Sequence, residues 1–283
     1  MIGKLPVKRD IKNKIRSLNE AFNGGVEFLW LGQSGFIMTN GNIRILIDAY
    51  LSNYLEANHG DLPYEHTRMI PPPVDENILH GIDYVLISHG HEDHLDPDLI
   101  RKLTAINPSV IYLVPPGCRA LLLKLGAKAE MVRNLSYGRD INIEDGFSIN
   151  ACPAAHPEPV FNTDKVWALS YKLSFGQKSI FFAGDTTVYP GLIDWLISKQ
   201  PFDLLILPVN GRDPEMEKNG IVGNMNLEEG MILSVMLDVP MLGTHFGMFA
   251  FNTVDSHELF HQIQNFGLSD KVELTELNKV YSL

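Results

Sequence analysis

Apolar residues recur at helical spacing near the start of the chain. Between Arg9 and Asn23, charged residues separate the apolar positions, and two glycines then end the pattern. The apolar positions are Ile11, Ile15, Leu18 and Phe22. A separation of about three to four residues is typical of one face of an amphipathic helix. The pattern therefore predicts a helical extension within residues 1–25 that lies on the body of the fold.

From Val26 onward the pattern changes to short, β-rich apolar runs separated by turns. Such runs favour strands, whereas longer stretches with helical spacing favour helices. The predicted strands cover residues 26–31, 35–38, 43–47, 84–88, 110–114, 141–152, 168–175, 179–183, 204–209 and 241–244. The predicted helices cover residues 97–103, 118–125 and 227–236. We therefore predict one mixed α/β domain over residues 1–283, with polar residues repeatedly following strands.

Residues 51–80 show little periodicity and are rich in proline and asparagine. This stretch includes three consecutive prolines, Pro71 to Pro73. Loops of this length are uncommon in compact domains unless they carry function, often beside a site. We therefore expect a long loop at the rim of a functional site.

Composition and charge narrow the classes of function. The chain has 283 residues, 45% of them hydrophobic, which is enough to bury a substantial core. The formal net charge of −11 argues against nucleic-acid binding, because phosphate backbones are held by clustered lysine and arginine. The sequence has no apolar run of about 18 residues and no hydrophobic signal core. We expect a cytoplasmic protein with neither a nucleic-acid nor a membrane partner.

The strongest chemical signal is the run SHGHEDHLD from Ser88 to Asp96, directly after an apolar strand. An HxHxDH spacing on a loop after a buried strand lets two histidines point to one ion while Asp93 and the next histidine reach a second. Imidazole nitrogen and carboxylate oxygen suit zinc, manganese or iron. A polar loop with incidental histidines is the alternative. It explains one histidine better than three histidines and an aspartate so close together.

Three further segments place a histidine or an aspartate after a predicted strand. His156 follows residues 141–152, Asp185 follows residues 179–183, and His245 follows residues 241–244. Each residue alone is more often a capping or hydrogen-bonding residue. In this order after the HxHxDH motif, they complete a candidate metal site. Its side chains are His89, His91, Asp93, His94, His156, Asp185 and His245.

The succession of HxHxDH, a single His, Gly-Asp and a last single His resembles the metallo-β-lactamase superfamily of metal-dependent hydrolases, over about residues 26–254. The resemblance implies a four-layer αββα sandwich in which two sheets pack face to face and the metals lie at one edge. It also implies two divalent metal ions, for which zinc, manganese and iron are all suitable. The implied ligands are His89, His91 and His156 for the first ion, Asp93, His94 and His245 for the second, and Asp185 as a bridge.

Within the superfamily, the chain is similar to the branch containing L-ascorbate-6-phosphate lactonase and the N-acyl-phosphatidylethanolamine phospholipase D type enzymes. The segments that carry this similarity are residues 30–35, Asp48, residues 94–96, 183–186, 208–211 and 225–229. His156 is closer to the phospholipase side, whereas Arg212-Asp213-Pro214 is loosely similar to a lactonase loop. The resemblance therefore leaves both kinds of substrate open.

Two metal ions roughly 3.5 to 4 Å apart would hold and activate a water molecule. We expect Asp93 to orient or deprotonate that water and His245 to polarise the leaving group. Asp48 and Asp96 are candidates for fixing imidazole tautomers, with a capping or turn role as the alternative.

Arg212 follows the strand over residues 204–209 and is predicted to bind a substrate anion. The alternative is an arginine that is solvated on a loop.

The sequence leaves three functions open. The first is hydrolysis of a small lactone or ester, such as a phosphorylated sugar-acid lactone. The second is phosphodiester hydrolysis, and the third is non-catalytic metal binding on the same fold. The third is disfavoured because all the ligand positions are filled. We expect a small anionic substrate, and we expect a homo-oligomer by analogy with lactonase-like members.

Overall fold

The computed structural model describes residues 9–10, 25–59, 64–74 and 76–283. Its strands are β1 (Arg9–Asp10), β2 (Glu27–Gly32), β3 (Gly35–Thr39), β4 (Arg44–Ile47), β5 (Tyr84–Leu86), β6 (Ile111–Val114), β7 (Val132–Asn134), β8 (Asp140–Glu144), β9 (Phe147–Pro153), β10 (Leu169–Phe175), β11 (Lys178–Phe182), β12 (Leu204–Pro208), β13 (Met241–Thr244), β14 (Val272–Leu274) and β15 (Lys279–Ser282). Its helices are α1 (Tyr54–Asn58), α2 (Pro97–Ile106), α3 (Arg119–Lys124), α4 (Pro190–Ser198), α5 (Pro214–Lys218), α6 (Leu227–Leu237) and α7 (Ser256–Asn265).

The strands of the described residues form two sheets. The first sheet has eight strands in the order β1-β15-β2-β3-β4-β5-β6-β7, and the second has seven in the order β14-β13-β12-β11-β10-β9-β8. Each sheet is antiparallel over part of its width and parallel over the rest, from β4 to β7 and from β11 to β14. Polar loops that follow neighbouring parallel strands therefore emerge at one edge of each sheet.

Alternation of side chains along the strands divides the core into layers. Phe28 of β2 packs in the core between the sheets, whereas Leu29 belongs to the core between the first sheet and its helices. The rings of Phe36 in the first sheet and Phe182 in the second lie 6.2 Å apart, edge to face. Leu99 of α2 packs on the outer face of the first sheet, and α6 packs on β12 and β13 of the second. The predicted four-layer αββα sandwich is confirmed.

The structure corrects some of the predicted elements. Residues 141–152, predicted as one strand, belong to β8 and β9, which pair in an antiparallel hairpin. Gly146 sits in the connecting turn with φ +79°, a backbone angle that glycine adopts at little cost. The strands β7, β14 and β15 and the helices α4, α5 and α7 were not predicted. Most of these elements are only three to five residues long, too short for a period of apolar residues to show.

The predicted N-terminal helix falls almost wholly outside the described residues. Its first two residues, Arg9 and Asp10, are described and form β1, which pairs with Val280 and Lys279 of β15. In the stretch of residues 51–80, the structure places α1 and the start of a 3₁₀ turn over Glu76–Gly81. Among the described residues, no helix combines the length and the apolar character needed to cross a membrane.

Candidate metal centre

The predicted ligands lie where strands of both sheets end. The HxHxDH loop follows β5 of the first sheet, while His156, Asp185 and His245 follow β9, β11 and β13 of the second. Because the two sheets pack face to face, the loops from both sheets meet at one edge of the sandwich. The structure brings all seven predicted side chains together there, in groups whose nitrogen and oxygen atoms lie close to one another.

The first group consists of His89, His91 and His156. Nδ1 of His91 lies 2.8 Å from Nε2 of His89 and 3.1 Å from Nε2 of His156, so three ring nitrogens converge on one point. Burial lowers the pKa of all three imidazoles, that of His156 to about 4. Neutral imidazoles have a ring nitrogen free to bind a cation, so this group could hold one metal ion.

The second group consists of Asp93, His94 and His245. Oδ2 of Asp93 lies 3.7 Å from Nε2 of His94 and 3.9 Å from Nε2 of His245. Burial by itself would lower the pKa of His94, but the carboxylates of Asp185, Asp93 and Asp48 outweigh it and raise that pKa well above its ordinary value. A cation in this group would take the place of the proton that these carboxylates attract.

Asp185 lies between the two groups. Its Oδ1 is 3.3 Å from Nε2 of His94, and its Oδ2 is 3.1 Å from Nε2 of His245 and 3.8 Å from Nε2 of His156. Burial would raise the pKa of this carboxyl, yet His245 and His94 hold it well below its ordinary value. A charged carboxylate that reaches both groups could bridge two cations.

Asp48 orients ligands of both groups from beneath. Its Oδ2 accepts a hydrogen bond from Nδ1 of His94 at 2.8 Å, which leaves Nε2 of that ring facing Asp185. Its Oδ1 accepts from the backbone N–H of Ser88 at 2.7 Å, and its Oδ2 accepts from the Ser88 hydroxyl. That hydroxyl lies 3.0 Å from Nδ1 of His89. One buried carboxylate therefore fixes the tautomers of two ligands, as the sequence suggested for Asp48.

The donor atoms fit divalent cations. Nε2 of His94 is buried and makes no hydrogen bond of acceptable geometry with any described residue. Nε2 of His89, Nδ1 of His91 and Nε2 of His156 face one another. Three ring nitrogens that converge on one point cannot all be satisfied by hydrogen bonds to each other, whereas one cation satisfies all three lone pairs. The groups contain imidazole and carboxylate donors and no thiolate, which suits divalent metal ions.

A cavity of about 340 Å³ opens above the two groups. His91, Asp93, His156 and Asp185 form its polar floor. Its apolar lining consists of Leu55, Ile221, Val222, Phe249 and Phe251. Neither lysine nor arginine occurs among the described residues that line it. The cavity is therefore polar at the metal groups and apolar at its walls.

The segment of residues 51–80 contributes two histidines to this cavity. Nε2 of His59 contacts the carboxylate of Glu92 in the HxHxDH loop, and His66 packs its ring against Phe249 and Phe251. Nδ1 of His66 lies 2.8 Å from the carbonyl oxygen of Tyr64, which must accept the proton of that nitrogen. Nε2 of His66 is consequently the ring nitrogen left for other partners.

Two other predicted residues lie apart from the cavity. Asp96 caps α2, where its Oδ1 accepts from the backbone N–H groups of Asp98 and Leu99. Of the two roles that the sequence left open for Asp96, it has the capping role and does not fix an imidazole tautomer. Arg212 lines an adjoining cavity of about 430 Å³ and donates to Glu229 at 2.6 Å. Because its guanidinium already has a carboxylate partner, the binding of a substrate anion by Arg212 stays a prediction.

One residue at the site was not singled out from the sequence. Gln33 lies in the two-residue turn between β2 and β3, and its amide nitrogen donates to Oδ2 of Asp93 at 2.8 Å. Gln33, Asp48 and His245 adopt φ values of +50°, +40° and +62°. Such angles are uncommon for residues with a side chain and cluster at functional sites. In the sequence, Gln33 was visible only as part of the run over residues 30–35.

Comparisons with known proteins agree with this arrangement. The family profile described as "Beta-lactamase superfamily domain" matches residues 43–246, and the chain belongs to that family. It is 24% identical over 246 residues to N-acyl-phosphatidylethanolamine-hydrolyzing phospholipase D 1 of Caenorhabditis elegans, covering 82% of this chain and 66% of the relative. It is 26% identical over 259 residues to a metal-dependent hydrolase of Methanopyrus kandleri, covering 89% and 97%.

Solved structures share the fold. A metallo hydrolase of the archaeon Ignicoccus hospitalis superposes with a TM-score of 0.66 at 19% identity, covering 92% of this chain and 98% of that one. The chain spans less than two thirds of the C. elegans phospholipase, so the activity of that whole protein does not transfer directly. Together with the His and Asp groups, the family defines a metal-dependent hydrolase of the metallo-β-lactamase fold.

Proposed function

We propose that the protein hydrolyses a phosphodiester bond with the help of two divalent metal ions. The observation that carries this proposal is the pair of ligand groups on the cavity floor, with Asp185 within reach of both. Bound divalent cations lower the pKa of water toward neutrality and offset the charge that develops on a substrate oxygen. Zinc and manganese, and also iron, suit the all-His/Asp donor set.

The side chains around the floor have distinct tasks in this proposal. Asp93 reaches the cavity with 17% of its side chain exposed, and it takes the proton of the attacking water. His245, the other candidate ligand that faces Asp93, polarises the leaving group. The apolar walls exclude water from the rest of the substrate and bind its less polar arm.

The charge of the cavity favours particular substrates. A phosphodiester carries one negative charge, which divalent cations at the floor can neutralise. A phosphorylated sugar-acid lactone carries a phosphomonoester dianion, and no lysine or arginine among the described lining residues is placed to meet it. The similarity to phospholipase D type enzymes supports the diester as well.

The absence of cationic side chains from the described cavity lining also suits an uncharged lactone or carboxylic ester, which we keep as the second candidate substrate. Such a substrate needs only the floor for the reaction and the apolar walls for binding. Arg212, in the adjoining cavity, would then contribute little to substrate binding.

An Arg212→Ala variant should raise the KM of an anionic substrate far more than that of a neutral one. Equal effects on both KM values would show that Arg212 has a structural role only.

The test is hydrolysis of bis(p-nitrophenyl) phosphate by protein loaded with manganese or zinc, beside a panel of uncharged lactones followed by acid release. Asp93→Ala should abolish turnover and keep the fold, because Asp93 lies on a loop at the cavity. Asp98→Asn, which removes an exposed carboxylate at the start of α2, is the matched control and should keep the wild-type rate. Cleavage of lactones alone would replace the diester by the second candidate, and wild-type rates in Asp93→Ala would exclude Asp93 from the mechanism.

A further inference from the structure

Gln33 is held rigidly in the turn between β2 and β3. Its side chain is fully buried, and its backbone has φ +50°. Its carbonyl oxygen accepts three hydrogen bonds, from the indole N–H of Trp30 at 2.8 Å, the hydroxyl of Thr244 at 2.6 Å and the backbone N–H of His245 at 3.0 Å. These bonds tie the turn to the end of β13 and fix the direction in which the side chain leaves the backbone.

The amide of Gln33 ends between two candidate ligands of the second group. Its Nε2 donates to Oδ2 of Asp93 at 2.8 Å and lies 3.2 Å from Nε2 of His245. The opposite orientation would place the amide oxygen against the Asp93 carboxylate, where two acceptors repel, so Asp93 selects the orientation seen.

The amide oxygen of Gln33 gives a second reason to assign this side chain a role at the metal groups. Oε1 of Gln33 is buried and has no hydrogen-bond partner among the described residues. An unpartnered buried amide oxygen costs free energy, so a residue chosen for packing alone would be apolar at this position. An amide at this position is explained if its N–H group holds Asp93, while the backbone carbonyl oxygen of Gln33 holds the backbone of His245. The neighbouring residue of the same turn, Ser34, donates to Asp185 at 3.5 Å, so this turn faces the bridging carboxylate too.

We propose that Gln33 is a positioning residue that holds Asp93 and His245 in the geometry needed to bind the second metal ion and to use Asp93 in hydrolysis. The amide donates to Oδ2 of Asp93, the oxygen that also faces Nε2 of His94 and Nε2 of His245, and a carboxylate oxygen has two lone pairs, one for the amide and one for a cation. This inference rests on the proposed function as a metal-dependent hydrolase. It does not depend on which ester is the substrate.

The experiment compares Gln33→Met and Gln33→Glu with wild-type protein. Methionine keeps the length of the side chain and removes the amide, and glutamate removes the N–H donors and adds a charge beside Asp93. Asn150→Leu is the matched control, because it removes an equally buried amide that donates to Asp140 instead of to a candidate ligand. Zinc and manganese are titrated into metal-free protein by calorimetry, and kcat and KM are measured on the substrate that the wild type cleaves.

We expect both Gln33 variants to bind one of the two metal ions about 10- to 100-fold more weakly than the wild type does and to lose kcat by a similar factor, with KM changed little. Asn150→Leu should lower the melting temperature of the metal-free protein and leave metal affinity and kcat unchanged. If the Gln33 variants lose only stability, as the control does, or keep wild-type metal affinity, the positioning role is overturned.

The two proposals fail in different ways. A wild-type protein that binds two divalent ions but cleaves neither class of ester would overturn the hydrolase proposal, while the metal titrations would still decide the role of Gln33. A wild-type protein that binds no divalent ion would overturn both. Unaltered Gln33 variants of an active enzyme would overturn only the positioning role.

Discussion

Individual polar residues at the site are distinguished by what their buried atoms contact. Asp48 and Asp96 are both buried. The sequence offers the same two roles for each of them, which are fixing an imidazole tautomer and capping a helix or turn. Asp48 accepts from Nδ1 of His94 and from Ser88, whereas Asp96 accepts from the backbone of α2 and from the N–H groups of Leu51 and Ser52. One residue therefore supports the metal groups and the other a helix terminus.

This difference gives a prediction at the residue scale. Asp48→Asn replaces the acceptor of His94 by a group that also carries N–H donors, so the ring loses its fixed orientation. We expect divalent-metal affinity to fall about 10- to 100-fold. Asp96→Asn, the matched variant, should destabilise the protein through the loop at Leu51 and Ser52 while its metal affinity stays at the wild-type level. Calorimetric titration with zinc checks both, and equal metal affinities in the two variants would contradict the assignment.

At the scale of elements, the loop that follows β5 packs closely against the loop that follows β11. This contact sets the spacing between the candidate ligand groups. Gly184, just before Asp185, has φ +59°, and a Cβ built on it would lie 2.6 Å from Cβ of Ser88. The backbone N–H of Ser88 in turn donates a hydrogen bond to Asp48, and its hydroxyl lies 3.0 Å from Nδ1 of His89. A glycine is required here both for the backbone angle and for the close approach of the two loops.

The prediction at this scale separates the two requirements. Gly176 in the β10–β11 turn has nearly the same angle, φ +58°, but no atom of the described residues lies within 4 Å of a Cβ built there. Gly176→Ala should therefore cost only the backbone strain, about 1–2 kcal/mol of unfolding free energy. Gly184→Ala should cost about 1–3 kcal/mol more, from the clash with Ser88, and should weaken metal binding as well. Urea denaturation of metal-free protein and zinc titration measure the two effects. Equal losses in both variants would show that the loop contact is unimportant.

Across the whole molecule, the candidate metal groups join the two sheets of the sandwich. His89, His91, Asp93 and His94 come from the first sheet, whereas His156, Asp185 and His245 come from the second, and each metal group contains residues of both. Cations bound there would link the two halves at the edge where polar loops, rather than the apolar core, form the contact. Metal binding should therefore stabilise the fold as well as support catalysis.

Removal of metal tests this link. A ligand that binds only the folded state adds about 4.1 kcal/mol of stability when its free concentration is 1,000 times its Kd. We expect treatment with a chelator to lower the melting temperature and zinc or manganese to restore it. His91→Ala, which removes a candidate ligand at the cavity wall, should reduce the restored stability. Identical melting curves with and without metal, measured by calorimetry, would contradict the proposed cross-link.

The sequence alone predicted the ligands of the candidate site and the class of fold. His89, His91, Asp93 and His94 share one short loop, so their proximity is local and visible in the spacing. His156, Asp185 and His245 could be found because each follows an apolar run, and parallel strands end at a common edge. The apolar runs of strand length and the helical patterns predicted a mixed α/β domain, whereas the four layers of the sandwich were implied by the family resemblance. The strands β7, β14 and β15 and the helix α5 were missed because three to five residues are too few to show a period, whereas α4 and α7 were missed although they have nine and ten residues.

The tertiary structure decided which polar atoms face one another. The amide of Gln33 reaches Asp93 and His245 across 60 and 212 residues of sequence, and it does so only because an unusual backbone angle and three hydrogen bonds fix its turn. Packing between distant segments also decided that Asp48 contacts a candidate ligand whereas Asp96 caps α2. The apolar walls of the cavity, contributed by Leu55, Val222 and Phe249, likewise come from distant segments. Residue types and local spacing are properties of the chain, whereas side-chain direction depends on packing between segments far apart in sequence.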